Sequence, residues 1–151
     1  MSSQTTVLNN NRQGIVNTTV DKVFIFGNKY GKGNLVYTAD DYDDIQINVG
    51  TLLGRVHATG KLVPHDSSAS DGSQYPVGIL AEDVVVEAGN DLDQEVSMCV
   101  AGEVNENAVL LADGDDFDTV ISAKTLRDRI GADTVGIILR ATTENTEHDN
   151  S

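Results

Sequence analysis

The sequence predicts a mainly β domain, a small barrel or sandwich with one short helix behind an extended N-terminal arm. Three observations carry this. Short runs of strand character recur through the middle of the chain, with turn residues between them. A single window, around Leu126 and Ile130, has helical spacing. Residues 1–20 are rich in Asn, Thr, Gln and Ser, and their few large apolar residues are too sparse to form a core of their own.

The arm comes first. Val7, Leu8, Ile15, Val16 and Val20 are β-branched or aliphatic, which suits an extended conformation. Val23 and Ile25 then alternate with Lys22, Phe24 and Phe26, and Gly27-Asn28-Lys29-Tyr30-Gly31-Lys32-Gly33-Asn34 reads as a loop. Ile45, Ile47 and Val49 alternate with Asp44, Gln46 and Asn48, a half-buried strand ending at Gly50. Val77-Gly78-Ile79-Leu80-Ala81 and Val84-Val85-Val86 are short apolar runs split by Glu82-Asp83. Val96, Met98, Val100 and Val104 are placed on one strand face, opposite Ser97, Cys99 and Glu103, and Val135 to Leu139 is the last apolar run. Ser122 is the expected helix cap and Gly131 the expected stop, with Arg127 and Arg129 near the C-terminal end of the helix dipole. Residues 142–151 carry Glu144, Glu147 and Asp149 and read as an acidic flexible tail. The expected organisation is therefore arm 1–20, β-rich domain 21–141 and tail 142–151.

Composition narrows the function. The chain has 151 residues, enough for one ordinary domain, and a net charge of −14. Leu, Ile, Val and Phe make up about 27% of it, above the level typical of disordered chains. With no Trp and 5% aromatics, the core must be aliphatic. The charge is uneven: residues 1–39 sum to +3 and residues 40–151 to −17. A mildly basic leading third is suited to an acidic partner, while the acidic body is repelled by nucleic acid and by anionic membranes. No apolar run reaches the length of a membrane span, and the N-terminus shows no secretory signal pattern. Cys99 is the single cysteine, which excludes an internal disulfide and suits a reducing compartment.

No catalytic constellation stands out. Gly27-x-x-x-Gly31-Lys32-Gly33 has three residues where a phosphate loop needs four, and lacks the following Ser or Thr. The Asp40–Asp44 and Asp113–Asp118 runs miss the calcium-loop pattern: from Asp41 the fifth and twelfth positions are Ile45 and Leu52, and from Asp113 they are Phe117 and Lys124. Solvated turns are the better reading of both. Cys99 lies within an apolar strand as a small hydrophobe, and nothing in the spacing brings His57 or His65 to it. Catalytic residues, cofactor and metal site are all expected to be none.

The centre of the chain carries a recognisable pattern. Gly54-Arg55-Val56-His57-Ala58-Thr59-Gly60-Lys61-Leu62-Val63-Pro64 is followed by Asp66 and then by Ser70-Asp71-Gly72-Ser73-Gln74-Tyr75-Pro76-Val77-Gly78-Ile79-Leu80. In physical terms, Thr59-Gly60-Lys61 is a tight turn, Pro64 ends a ladder, Asp71-Gly72 supplies a second turn, and Gly78 leaves room for a neighbouring backbone. The stretch resembles the head decoration family of tailed bacteriophages, the lambda-type capsid cementing proteins. Ala101-Gly102-Glu103-Val104-Asn105, Leu126-Arg127-Asp128-Arg129-Ile130-Gly131 and Ile137-Ile138-Leu139 are similar to larger members, so the likeness covers about residues 50–140. The chain departs from the shortest members in residues 20–49 and in its acidic tail.

The resemblance implies a β-tulip domain that sits as a homotrimer at (quasi-)three-fold positions on the outside of the mature head. There it binds the major capsid protein and stabilises the shell against internal DNA pressure. It implies a structural protein and not an enzyme, made in the bacterial host cytoplasm, with no direct nucleic-acid or membrane partner. It also implies an arm that pairs with capsid strands, for which Val7, Leu8, Arg12, Ile15 and Val16 are the candidate contact residues. Twenty extended residues span about 65 Å, enough to cross a subunit boundary. Three alternatives remain at this stage: a head-fibre or tail-associated virion protein, a small trimeric β-barrel enzyme, and a carbohydrate-binding module.

Overall fold

The computed structural model describes residues 23–141. Its strands are β1 (Phe24–Thr38), β2 (Ile45–Ile47), β3 (Leu52–Arg55), β4 (Leu62–Pro64), β5 (Pro76–Leu80), β6 (Val84–Val86), β7 (Asp91–Asn105), β8 (Val120–Ile121), β9 (Lys124–Thr125) and β10 (Gly136–Arg140). A 3₁₀ turn covers Glu106–Ala108, and the helix α1 covers Leu126–Asp133.

The main sheet runs β1-β4-β3-β5-β7-β10, and β1 also pairs with β7, so β1, β4, β3, β5 and β7 close a five-stranded barrel. Closure at Leu35↔Leu62 seals the barrel, while the earlier part of β1 and the outer side of β10 keep an edge without a strand partner among the described residues. β1 and β7 pair antiparallel from Phe24↔Val104 to Thr38↔Asp91, whereas β1 meets β4 only at Leu35↔Leu62. β10 attaches outside the barrel, parallel to β7 from Gly136↔Ala101 to Arg140↔Asn105. A parallel pair needs a long crossover, and residues 106–135, including α1, supply it.

Two apolar clusters hold the fold. Alternation along β3 and β5 feeds both, because successive side chains point to opposite faces. Leu52 and Ile79 join Phe24, Cys99, Val104, Leu126, Ile130 and Ile137 in one cluster, which contains the buried face of the helix. Leu53 and Leu80 join Leu35, Ile47, Leu62, Val84, Val86, Val96 and Met98 in the other. Each fully buried Leu or Ile contributes about 1.5–3 kcal/mol relative to exposure.

The structure corrects five expectations. Residues 27–34 are not a loop: they lie inside β1, paired with β7 through Lys29↔Ala101, Tyr30↔Cys99 and Lys32↔Ser97. The glycines serve close packing and register shifts within a strand. A Cβ on Gly33 would lie 2.8 Å from Leu62 Cδ1, and the register shifts at Phe24/Phe26, Phe26/Lys29 and Lys29/Tyr30. The strand-face assignment of β7 holds for Val96, Met98 and Val100, which pack into one cluster with Cys99 opposite, and fails at Val104. A bulge leaves Val100 without a β1 partner, so Met98 and Val104 enter different clusters and Cys99 is fully buried.

The helix boundaries move as well. Ser122 and Ala123 form the left-handed turn between β8 and β9, with φ of 49° and 74°. The cap is Thr125, whose hydroxyl accepts from Asp128 N–H at 3.3 Å. Gly131 lies inside α1, which ends instead at Thr134; Thr134 Oγ1 donates to the Ile130 carbonyl and accepts from Ile137 N–H. Arg127 and Arg129 consequently sit early in α1 and not at its C-terminal end. Arg127 pairs with Glu106, and Arg129 donates to the Ile121 and Ser122 carbonyls. The expected pair Leu126 and Ile130 is fully buried.

Candidate functional site

The motif-bearing segment builds one wall of the barrel and the turns beside it. Gly60 takes φ 73° and donates to the Val56 carbonyl, closing the tight turn that leads to β4, while Pro64 is its last residue. His57 N–H donates to the Asp71 carbonyl, and Asp71 accepts from Ser73 N–H and Oγ, which fixes the second turn ahead of β5. Those two bonds hold the Asp71 carboxyl below its ordinary range. A Cβ on Gly78 would lie 2.8 Å from Met98 Sδ and 2.9 Å from the Cys99 carbonyl, so only glycine lets β5 lie this close to β7. These residues act as scaffold.

Among the described residues, the titratable groups singled out in the sequence do not assemble into a reaction centre. Cys99 Sγ lies 3.1 Å from the Ala101 carbonyl and 3.6 Å from Asn28 Nδ2, and burial pushes its thiol up. His65 is also buried, with Nε2 donating to the Gln74 carbonyl at 2.7 Å and Nδ1 unpartnered. Burial holds it below the ordinary imidazole range, against a smaller upward pull from Gln74, Asp115 and Asp66. The two residues thus keep separate partners and do not form a nucleophile–base pair. A groove of about 740 Å³ beside His65 is lined by Val36, Tyr37, Val63, Pro64 and Leu92, with Asp66, Asp91 and Asp93 along it. Each of these carboxylates is engaged: Asp93 by Lys61 at 2.9 Å and Asn34, Asp91 by Thr38, and Asp66 by Ser68.

The acidic runs behave as turns. Asp40 Oδ1 accepts from Tyr42 and Asp43 N–H, and Asp44 Oδ1 accepts from Ala88 N–H. Asp115 accepts from Ser67, and Asp116 from Asp118 N–H.

What the described surface does offer is exposed apolar side chains: Phe26 at 71%, Tyr42 at 90% and Val135 at 78%, with Tyr30, Val85, Val120 and Ile138 more than half exposed. Phe26 of β1 and Ile138 of β10 stand either side of Glu103 of β7, one row across three strands, and Arg140 neutralises Glu103 at 2.5 Å. Lys29, across from Ala101, follows Phe26 on the same face of β1, and Lys32 lies further along on the other face. Contiguous exposed apolar patches rimmed by polar groups are the usual mark of a contact surface.

The model of one family, Bacteriophage lambda head decoration protein D, matches residues 44–127, 84 of the 151. The chain belongs to the head decoration protein family. Its role is decoration of a phage capsid, as a structural component of the virion. No curated protein matches it. The matched stretch of this head decoration protein spans β2 to the start of α1, so β1 and β10 lie outside it. Among the described residues, no helix is long and apolar enough to cross a membrane.

The arm candidates Val7, Leu8, Arg12, Ile15 and Val16 lie outside the described residues. The surface row on β1 went unread in the sequence because its glycines were assigned to a turn. The available signal was the matching of two apolar runs, residues 23–26 and 35–37, that flank the glycines like the two ends of one strand.

Proposed function

We propose that this decoration protein binds the major capsid protein on the outer surface of the mature head, as trimers at three-fold positions, and holds the shell together against packaged DNA. The family match over the core of the barrel is the observation that carries the reading. A ligand that binds only the assembled, expanded lattice shifts the equilibrium away from rupture by mass action. Three linked footprints add through avidity, so each contact can be weak. Residues 1–20, with Val7, Leu8, Ile15 and Val16 for shallow pockets and Arg12 for charge, are the proposed capsid-binding arm.

Quantitative mass spectrometry of purified virions tests the reading. A ratio near one copy per major capsid protein is expected, and a few copies per particle sinks it. Deleting residues 1–20 should abolish head occupancy while leaving the thermal unfolding of the barrel in place. Undiminished occupancy would remove the arm from the mechanism.

A further inference from the structure

We infer that β1 is one half of a head-to-tail contact between copies of this chain, and that the ribbon formed by β2 and β6 is the other half. The inference rests on the trimer reading above and names the surfaces that would form the ring.

The first surface is basic and aromatic on an otherwise acidic molecule. Over residues 24–34, β1 pairs only with β7, so its outer edge carries backbone groups without a strand partner among the described residues. Phe26, Lys29, Tyr30 and Lys32, all exposed, lie along this stretch. Phe26 and Lys29 stand across from Glu103 and Ala101 on one face, and Tyr30 and Lys32 across from Cys99 and Ser97 on the other, so the edge carries an aromatic and a lysine on each face. Lys61, Arg127, Arg129 and Arg140 each hold a carboxylate, whereas Lys29, Lys32, Arg55 and Lys124 hold none among the described residues, and only Lys29 and Lys32 lie close together on one strand. Lys29 lies in register with Ala101 and Gly136, which are too small to cover it.

The second surface has the opposite charge around a similar apolar centre. β2 pairs with β6 through Gln46↔Val85, which turns Val85 outward while Val84 and Val86 are buried. Asp44 and Asp40 tie the preceding loop to Ala88 and Gly89, so Tyr42, 90% exposed, is held at the end of this ribbon. Asp41, Asp43 and Glu87 frame it, all exposed and free of ion pairs among the described residues.

A basic aromatic surface and an acidic aromatic surface on one chain fit each other in trans. Such a pairing is heterologous, the arrangement from which a rotation makes a closed ring. It would place Phe26 and Tyr42, aromatic anchors of the type that dominates interface energetics, inside a rim of matched charge. It would also bury the lysines of a chain whose net charge otherwise drives copies apart.

Charge swaps on the full chain test this, with occupancy measured on heads lacking the protein and self-association measured by sedimentation. Lys29→Glu with Lys32→Glu should weaken assembly at least about tenfold, because like charges then face one another. Asp43→Lys with Glu87→Lys should do the same. All four changes in one chain should restore assembly to within about threefold of the natural chain, since the pairing is only reversed. If the fourfold swap assembles no better than the lysine pair alone, the β1 surface faces the shell and the inference is overturned. Unchanged assembly of the lysine variant overturns it too, leaving the lysines as guards of an open strand edge. A natural chain that leaves heads bare refutes the capsid reading, and sedimentation of the same variants then decides the contact alone. A chain that neither fills heads nor associates with itself overturns the inference.

A measurement without variants keeps the test independent of folding. Zero-length carbodiimide coupling of mixed ¹⁵N-labelled and unlabelled chains on heads should join Lys29 or Lys32 to Asp43 or Glu87 across isotopes. Lysine cross-links found only to the capsid protein, or none at all, would count against the contact.

Discussion

The block from β3 to β5 and the outer strands β1 and β10 solve different problems with the same residue types. In β3 to β5, Leu52, Leu53, Leu62, Ile79 and Leu80 are fully buried, and the intervening turns are locked by Asp71 and by the Gly60 bond. In the outer strands, Phe26, Tyr30 and Ile138 point large apolar groups at solvent. Glycine divides the same way: Gly78 faces the Cys99 backbone, which cannot yield, whereas Gly33 faces the flexible end of Leu62. The first region is where the family pattern sits, and the second lies outside it. Fold is set by the block, and the contact surface proposed above lies on what closes around it.

Mutations should separate the two. Leu62→Ala in the block should cost about 2–5 kcal/mol, read as a lowered denaturant midpoint, since a buried Leu leaves a cavity. A cost under about 1 kcal/mol would mean that the block is more plastic than the comparison requires. Gly78→Ala should cost about 1–3 kcal/mol by overpacking against a backbone carbonyl. Gly33→Ala should cost less than Gly78→Ala, because Leu62 can rotate away; equal losses would erase the distinction.

At the boundary between the regions, Thr125→Ala removes the cap of α1 and should lower stability by about 1 kcal/mol. His65 gives a pH signature of the block. Its folded form resists protonation, so the unfolded chain binds the proton first as pH falls below about 6.5. Stability should therefore decline from pH 7 towards the lowered folded value and then level off. His65→Gln should flatten that part of the slope, and an unchanged slope would assign it to other groups. The smallest effect belongs to the outer surface: Phe26→Ser should leave the melting curve within about 0.5 kcal/mol of the natural chain while weakening assembly. A large loss of stability there would make Phe26 part of the core after all.

Much of the block was legible in the sequence. Pro64 and Pro76 bound their strands, Gly60 and Asp71-Gly72 made the turns, and the Leu126/Ile130 spacing marked the buried helix face. The outer strand was not legible, because glycine-rich sequence is shared by turns and by strands with bulges and close neighbours, and only the partner strand decides between them. The Ser122 cap failed for a related reason. A serine serves a hairpin turn as readily as a helix start, and here the hairpin took it at positive φ. The β7 face assignment fails at Val104, because the bulge at Val100 reverses the parity of the residues that follow it.

The barrel's closing seam also sets a schedule for biogenesis. Phe24 pairs with Val104 and Thr38 with Asp91, so the first described strand finds its partner only after most of the chain has been made. Long-range pairing of this kind slows folding, because loop entropy is lost before contacts compensate for it. Until β7 emerges from the ribosome, β1 has no wall to close, and its two lysines and repeated glycines make it a poor seed for sticking to nascent neighbours. The residues that break the simple strand pattern thus help a chain with so late a seam to reach its folded state.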